Sequence, residues 1–301
     1  MSRWCNSDSD CLTMTDPNEE EGIEENPTYI YENEKLEMLI RQMRLCKTAT
    51  FYVDTLSNDD MRLIADELRT NRRWNYLRVI GHNKIDLDGA KYLFDALTAN
   101  PAVNKLHLGG NSLGDSGVAL ITHFLSSNST VTDLDLTDNQ IKEIGAKSIS
   151  QMLRVNSTLV CLVLHGNPLS DVGVASIAQS LEHNHTITDL KLSRTIMTDE
   201  GAEQISSLLQ SNATIKVLSL DSNSIGDVGM QALCMALQLN HILKCFNIRR
   251  NCFSDRSVDV IVAMLQNNRT FDRLDLSRNH LSEQGKETIR QAKTNNTNLI
   301  L

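Results

Sequence analysis

Paired apolar residues recur every 28 positions along most of this chain, and that spacing limits its fold more than any other feature. Leu106 and Leu108 return as Leu134/Leu136, Leu162/Leu164, Leu190/Leu192, Leu218/Leu220, Phe246/Ile248 and Leu274/Leu276, without slippage. A weaker pair, Leu77/Val79, precedes them at a spacing of 29. A fixed period of this size belongs to a solenoid, in which each unit buries its apolar face against its neighbours. The length of 301 residues alone would suggest two domains, but a solenoid grows in one dimension and the period overrides that prior.

Within a unit, the two leucines flank one residue, so a short strand turns both inward. Three positions later comes an asparagine in most units: Asn111, Asn139, Asn167, Asn223, Asn251 and Asn279. It turns the chain away from the strand, and its amide is placed to satisfy backbone groups of adjacent units. Thr195 breaks this row and predicts local loosening at 190–197. A helix follows, with apolar residues four apart, as in Leu120/Phe124 and Ile177/Leu181. Its start carries a recurring glycine (Gly89, Gly117, Gly145, Gly173, Gly201, Gly229, Gly285), replaced once by Ser257. Two residues earlier sits an acid: Asp115, Glu143, Asp171, Asp199, Asp227, Asp255 or Glu283. The glycine suits close packing, and the acid suits free N–H groups and the positive end of the helix dipole.

The ends differ from the middle. Residues 1–32 are acidic and poor in periodic apolar residues, so a disordered tail is expected there. A solvated leader is the favoured reading of that tail, and an acidic docking segment is the alternative. Residues 33–73 read as an N-terminal capping helix plus a degenerate first repeat. Leu36, Leu39, Ile40 and Met43 carry the helix, Phe51 and Val53 a short strand, and Met61, Ile64 and Leu68 a second helix. Residues 74–301 are the repeats proper. Their last helix places Lys293 where others place leucine, which predicts a polar C-terminal cap and a natural end near Leu301.

The resulting pattern, LxxLxLxxNxL plus a helix in 28 residues, resembles the ribonuclease-inhibitor-like leucine-rich repeats over about residues 74–301. The resemblance implies an α/β, right-handed leucine-rich-repeat solenoid: a horseshoe with a parallel inner sheet and outer helices. Similar repeats occur in ribonuclease inhibitor, in the sensor domains of NOD-like receptors, in the GTPase-activating protein of Ran and in tropomodulin. These share an architecture and little else, so the resemblance implies a binding surface without naming its ligand. No GxxxxGKS/T loop is present, so the nucleotide-binding module of a NOD-like receptor is missing from this sequence. Ribonuclease inhibitor is cysteine-rich and alternates two repeat types, whereas one type repeats here. Tropomodulin-like proteins carry long actin- and tropomyosin-binding segments before the repeats, where this chain has an acidic stretch and one short helix.

Charge is distributed unevenly. Residues 1–34 hold ten acidic residues against Arg3 alone, and the remainder carries 28 of each sign. No global basic field draws nucleic acid to the body, and no nucleic-acid or membrane partner is expected. The seven cysteines are odd in number and lack CxxC spacing; no apolar leader or membrane-length run occurs. A reduced, cytoplasmic protein is expected. Six Asn-x-Ser/Thr sequons occur, at Asn128, Asn156, Asn184, Asn212, Asn268 and Asn295. All but Asn295 share one repeat position, which favours a structural use at the end of a helix.

With the leucines inward, the alternate strand residues face the concave side. The rows so formed hold two charged patches. Asp133, Asp135 and Asp138 make an acidic one near the middle. Arg194, Arg249, Arg250, Arg273 and Arg278 make a basic one toward the C-terminus, among which Asp221 and Asp275 also face outward. These ten residues are the candidate partner-binding set; arginine suits carboxylates and phosphates. Catalysis is not expected. Cys161 and His165 share one strand but stand roughly 13 Å apart, too far for a nucleophile–base pair. His107 and Asp135 have no nucleophile beside them, and His183 and His185 no third metal ligand, so no metal or cofactor is expected. The function read from the sequence is a monomeric, non-enzymatic interaction protein binding a protein partner, one with acidic groups, on its concave face. Regulation of a small GTPase is the alternative.

Overall fold

The computed structural model describes residues 28–52, 56–81, 85, 87–292 and 297–301. The tail through residue 27, Val53, Lys293 and Asn295 lie outside the described residues.

Each apolar pair builds a strand, and the strands run in chain order: β1 (Thr48–Tyr52), β2 (Tyr76–Ile80), β3 (Lys105–His107), β4 (Asp133–Asp135), β5 (Cys161–Val163), β6 (Asp189–Lys191), β7 (Val217–Ser219), β8 (Cys245–Asn247), β9 (Arg273–Asp275) and β10 (Asn298–Ile300). Each pairs in parallel with the next, forming one ten-stranded sheet. Parallel neighbours require a crossover, which helices supply. These are α1 (Thr28–Met43), α2 (Asn58–Thr70), α3 (Leu87–Ala99), α4 (Gly114–Ser127), α5 (Glu143–Leu153), α6 (Ser170–Leu181), α7 (Asp199–Ser211), α8 (Asp227–Leu239), α9 (Val258–Asn267) and α10 (Glu283–Ala292). The register is that of the period: Lys105 opposes Asp133, Asp133 opposes Cys161, and so on through Cys245 opposite Arg273. One continuous core of strand leucines and inward helix residues runs the length of the array.

Two asparagine ladders hold the units in register. In the first, Asn167 donates from Nδ2 to Leu136 O of the previous unit at 2.8 Å, while its Oδ1 accepts from Asn139 N and Ile141 N at 3.0 Å. The second runs through the sequon asparagines at the other end of the strands. Asn184 Nδ2 donates to Leu153 O at 2.9 Å and to Asn156 O at 3.1 Å. These amides are buried donors, so a glycan at Asn156, Asn184, Asn212 or Asn268 would displace a backbone partner.

The acids at the helix starts reach further than the sequence implies. Asp115 accepts from Lys142 N at 2.8 Å and Gly145 N at 2.9 Å, the N-terminus of the following helix. Asp171 does the same for Thr198 N and Gly201 N. The aspartates of the row, Asp115, Asp171, Asp199, Asp227 and Asp255, thus cap the neighbouring helix, whereas Glu143 takes the Ser170 hydroxyl and Glu283 faces Lys286 of its own helix. The glycine row has the same cause: a Cβ on Gly145 would stand 2.6 Å from Asp115 Oδ1. Ser257 is tolerated because its Oγ donates to Asp227 Oδ1 at 2.6 Å, turning the close approach into a bond.

The terminal units depart from the expected boundaries. The inward pair of β1 is Ala49/Phe51, because Phe51 stands opposite Val79 and Ala49 opposite Leu77; the expected partner of Phe51, Val53, lies outside the described residues. An alanine in the first leucine position hid that register. Helix α1 starts at Thr28, so residues 28–32 are helical and not part of a tail. The apolar face marks where a helix packs, not where its hydrogen bonding begins. At the other end, α10 is followed by a tenth strand, with Leu299 opposite Leu274. That spacing is 25, and the shortened step took β10 out of the 28-residue pattern.

Candidate functional site on the concave face

Most concave acids are engaged within the sheet. Asp133 faces Lys105 Nζ at 3.5 Å and accepts from Thr132 Oγ1 at 2.7 Å. Asp135 stands 3.4 Å from His107 Nε2 and accepts from Thr137 N and Oγ1. Asp221 collects the Ser193, Ser219 and Ser222 hydroxyls and Asn247 Nδ2. Asp275 is buried, holds Ser277 N and Oγ, and lies 3.7 Å from Arg273. Asp189 accepts from Thr188 Oγ1. A carboxylate so satisfied offers a partner little.

Arg194 does not join the C-terminal arginines. It reaches back two units to Asp138, at 3.1 Å, over Gly166. A Cβ at Gly166 would collide with the Asp138 carboxylate, so the pair exists because that unit has no side chain in between. The two sequence patches thus neutralise one another where they meet. What remains is Arg249, half-buried, with Arg250 and Arg278, exposed; none has a carboxylate partner among the described residues.

The rim at the ends of the strands has left-handed backbone throughout: φ is +77° at Gly110, +68° at Gly166, +51° at Asp138, +54° at Arg194, +57° at Ser222, +54° at Arg250 and +58° at Arg278. Glycine adopts this conformation freely, while another L residue loses about 1–2 kcal/mol. Glycine occupies two of these positions, and arginine takes three at that cost. Sequence reasoning found the arginines but had no signal for the φ values.

His107 and His165 line the same face. Burial pushes both imidazoles below their ordinary value of 6.5, with Asp135 opposing the shift at His107 and Asp221 at His165. Ser193 N donates to His165 Nδ1 at 3.1 Å, which requires the neutral ring. The unfolded chain then binds more protons below pH 6.5, so this stability is complete above that value and is lost as pH falls beneath it. The melting temperature is expected to drop between about pH 7.5 and 5.5, and less so in a His107→Gln/His165→Gln variant. An equal drop in both proteins refutes the assignment. The Asp227 carboxylate does not interfere in that window: burial acts upward, but hydrogen bonds from Ser257 and Ser254 hold the carboxyl below its ordinary 3.8.

Among the described residues no group of three His, Cys, Asp or Glu is placed to hold a metal ion, and no helix is long and apolar enough to cross a membrane.

Sheet, period and ladders together define a leucine-rich-repeat protein of the ribonuclease-inhibitor type, a class of protein-binding modules. Residues 99–121, 127–150 and 155–178 match the Leucine Rich repeat model. More narrowly, residues 170–299 match the TMOD/LMOD Leucine-rich domain. Similar solved structures include the Leiomodin-1 Actin-Binding Site 2, at 24% identity over 40% of this chain and 69% of that chain, with a TM-score of 0.34. Another is the Caenorhabditis elegans tropomodulin C-terminal domain, at 15% identity over 49% of this chain and 90% of that one, with a TM-score of 0.42. No curated protein matches the chain.

Proposed function

We propose that the protein binds an acidic protein partner on the C-terminal half of its concave face, with Arg249, Arg250 and Arg278 as the principal contacts and Arg273 beside them. The observation that carries this reading is the state of the charges: the aspartates of the face are engaged by local donors, while these three guanidinium groups have no carboxylate among the described residues. Holding Arg250 and Arg278 in left-handed backbone, where glycine costs less, is also easier to explain by a contact than by stability. The protein acts here as a non-enzymatic module. Asp133, Asp135, Asp138, Arg194, Asp221 and Asp275 shape the surface in this reading and do not anchor the partner. Regulation of a small GTPase draws on no comparable feature, and a GTP hydrolysis assay against a GTPase panel separates the two readings.

The test uses Arg249→Glu/Arg278→Glu in the full chain. Partners captured by the wild-type protein are purified and titrated against both proteins at about 50 and 300 mM salt. Affinity for the partner is expected to fall at least tenfold in the variant at low salt, with the difference shrinking as salt rises. Arg250→Gly is the complementary probe: relief of the left-handed backbone holds or raises the melting temperature while binding falls. Unchanged affinity in both variants, with normal melting, rejects the site.

A further inference from the structure

The N-terminal end of the concave face holds another cation without a carboxylate partner among the described residues. Arg78 lies on β2 between Thr50 of β1 and His107 of β3. Its Nε is buried and has no hydrogen-bond partner among the described residues, and the guanidinium lies over the Tyr76 ring, 5.6 Å from the centroid. The nearest concave acids are committed elsewhere, Asp133 to Lys105 and Asp135 to His107. A buried donor without an acceptor is costly, and a guanidinium stacked on an aromatic ring is already oriented for a carboxylate. On the neighbouring strand Tyr52 is 73% exposed, so an apolar ring stands open beside this cation.

We propose that the chain's own acidic segment, residues 16–27, docks here in cis, its carboxylates meeting Arg78 beside Tyr76 and Tyr52. Charge complementarity selects this occupant: Asp16, Glu19, Glu20, Glu21, Glu24 and Glu25 fall in a stretch with no basic residue, whereas residues 35–301 carry 28 charges of each sign. Position selects it too. The segment joins α1 at Thr28, and α1 leads through a short connection into β1, the edge strand that carries Tyr52. Any flexible chain of about twelve residues would span roughly 20 Å, at about 5–6 Å times the square root of the residue number. The C-terminal arginines lie six strand steps beyond β2 for Arg249 and Arg250 and seven for Arg278, roughly 29–34 Å at about 4.8 Å each, where the effective concentration of the segment is much lower. This site is separate from the proposed partner surface and does not depend on it.

The test places a nitroxide at Gly22→Cys in the full chain, with Cys5, Cys11, Cys46 and Cys252 changed to serine, and reads paramagnetic broadening of backbone amides. At about 50 mM salt, the amides of Tyr52 and of Tyr76–Ile80 are expected to broaden at least twofold more than in the same protein carrying Arg78→Gln. About 500 mM salt should abolish the difference. Neutralising Glu19, Glu20, Glu21, Glu24 and Glu25 to glutamine should do the same without touching the folded body, which covers the case of an Arg78 variant that folds poorly. Broadening insensitive to both the Arg78 and the glutamate substitutions overturns the proposal. So does broadening centred on Arg249 and Arg250, which would move the segment to the other end of the face.

Discussion

Trp74→Ala is expected to cost about 3–5 kcal/mol, the range for removing a large aromatic side chain from a packed core. Trp74 is fully buried where later units place a smaller apolar residue, such as Val103 or Val131. Its ring meets Phe51 edge-on at 5.8 Å, and its Nε1 donates to Met43 O at 2.9 Å. One side chain thereby joins the capping helix α1, the first strand and the second unit. The loss should remain local, because each unit of a solenoid is stabilised by its neighbours. Hydrogen exchange is the measurement that checks this. Amides of α1, β1 and α2 should lose protection, while those of β6 to β8 keep theirs. A uniform loss along the array, or a total cost below about 1 kcal/mol, contradicts the role given to Trp74.

Asn139→Ala should cost roughly 3 kcal/mol, because each buried backbone group left without its partner costs about 1–3 kcal/mol and part of the loss relaxes. Asn139 Nδ2 donates to Leu108 O at 2.7 Å and to Thr137 O at 3.1 Å. Its Oδ1 accepts from Asn111 N at 3.2 Å and Leu113 N at 3.3 Å. The break in the row at Thr195 makes a natural comparison. The hydroxyl donates to Leu192 O in its own unit at 2.9 Å, and Leu169 N turns to Asn167 O at 2.8 Å. The irregularity thus falls on the preceding turn, at 167–170, as well as on the threonine. Thr195→Asn restores the cross-unit donor and should be neutral or stabilising by up to about 1 kcal/mol. Thermal melts in which Asn139→Ala is silent and Thr195→Asn is strongly destabilising would refute the ladder as the source of register.

The repeat period by itself determined the fold and the strand register. Alternation in a strand and an uninterrupted 28-residue step leave one way to face Leu106, Leu134 and Leu162 toward a common core, and every lateral neighbour follows from it. The reading weakened at Ala49, where an alanine stands in the first leucine position, and at the 25-residue spacing before Leu299. What only the tertiary structure decided is which charges remain available to a partner. A row position places a side chain on a face but does not set its rotamer or its partner. Arg194 reads as one of five concave arginines, yet it is drawn two units back to Asp138 because Gly166 leaves the path open. Arg78 drew no notice beside Lys105 and His107 in the sequence, yet their acids are taken and its own Nε has none. The helix-start acids carry the same lesson. Their spacing put them at an N-terminus, but a carboxylate reaches across to the next helix only where a small residue, Gly145 or Ser257, lets the backbones approach. Such pairings depend on distances between units, which a one-dimensional period does not contain.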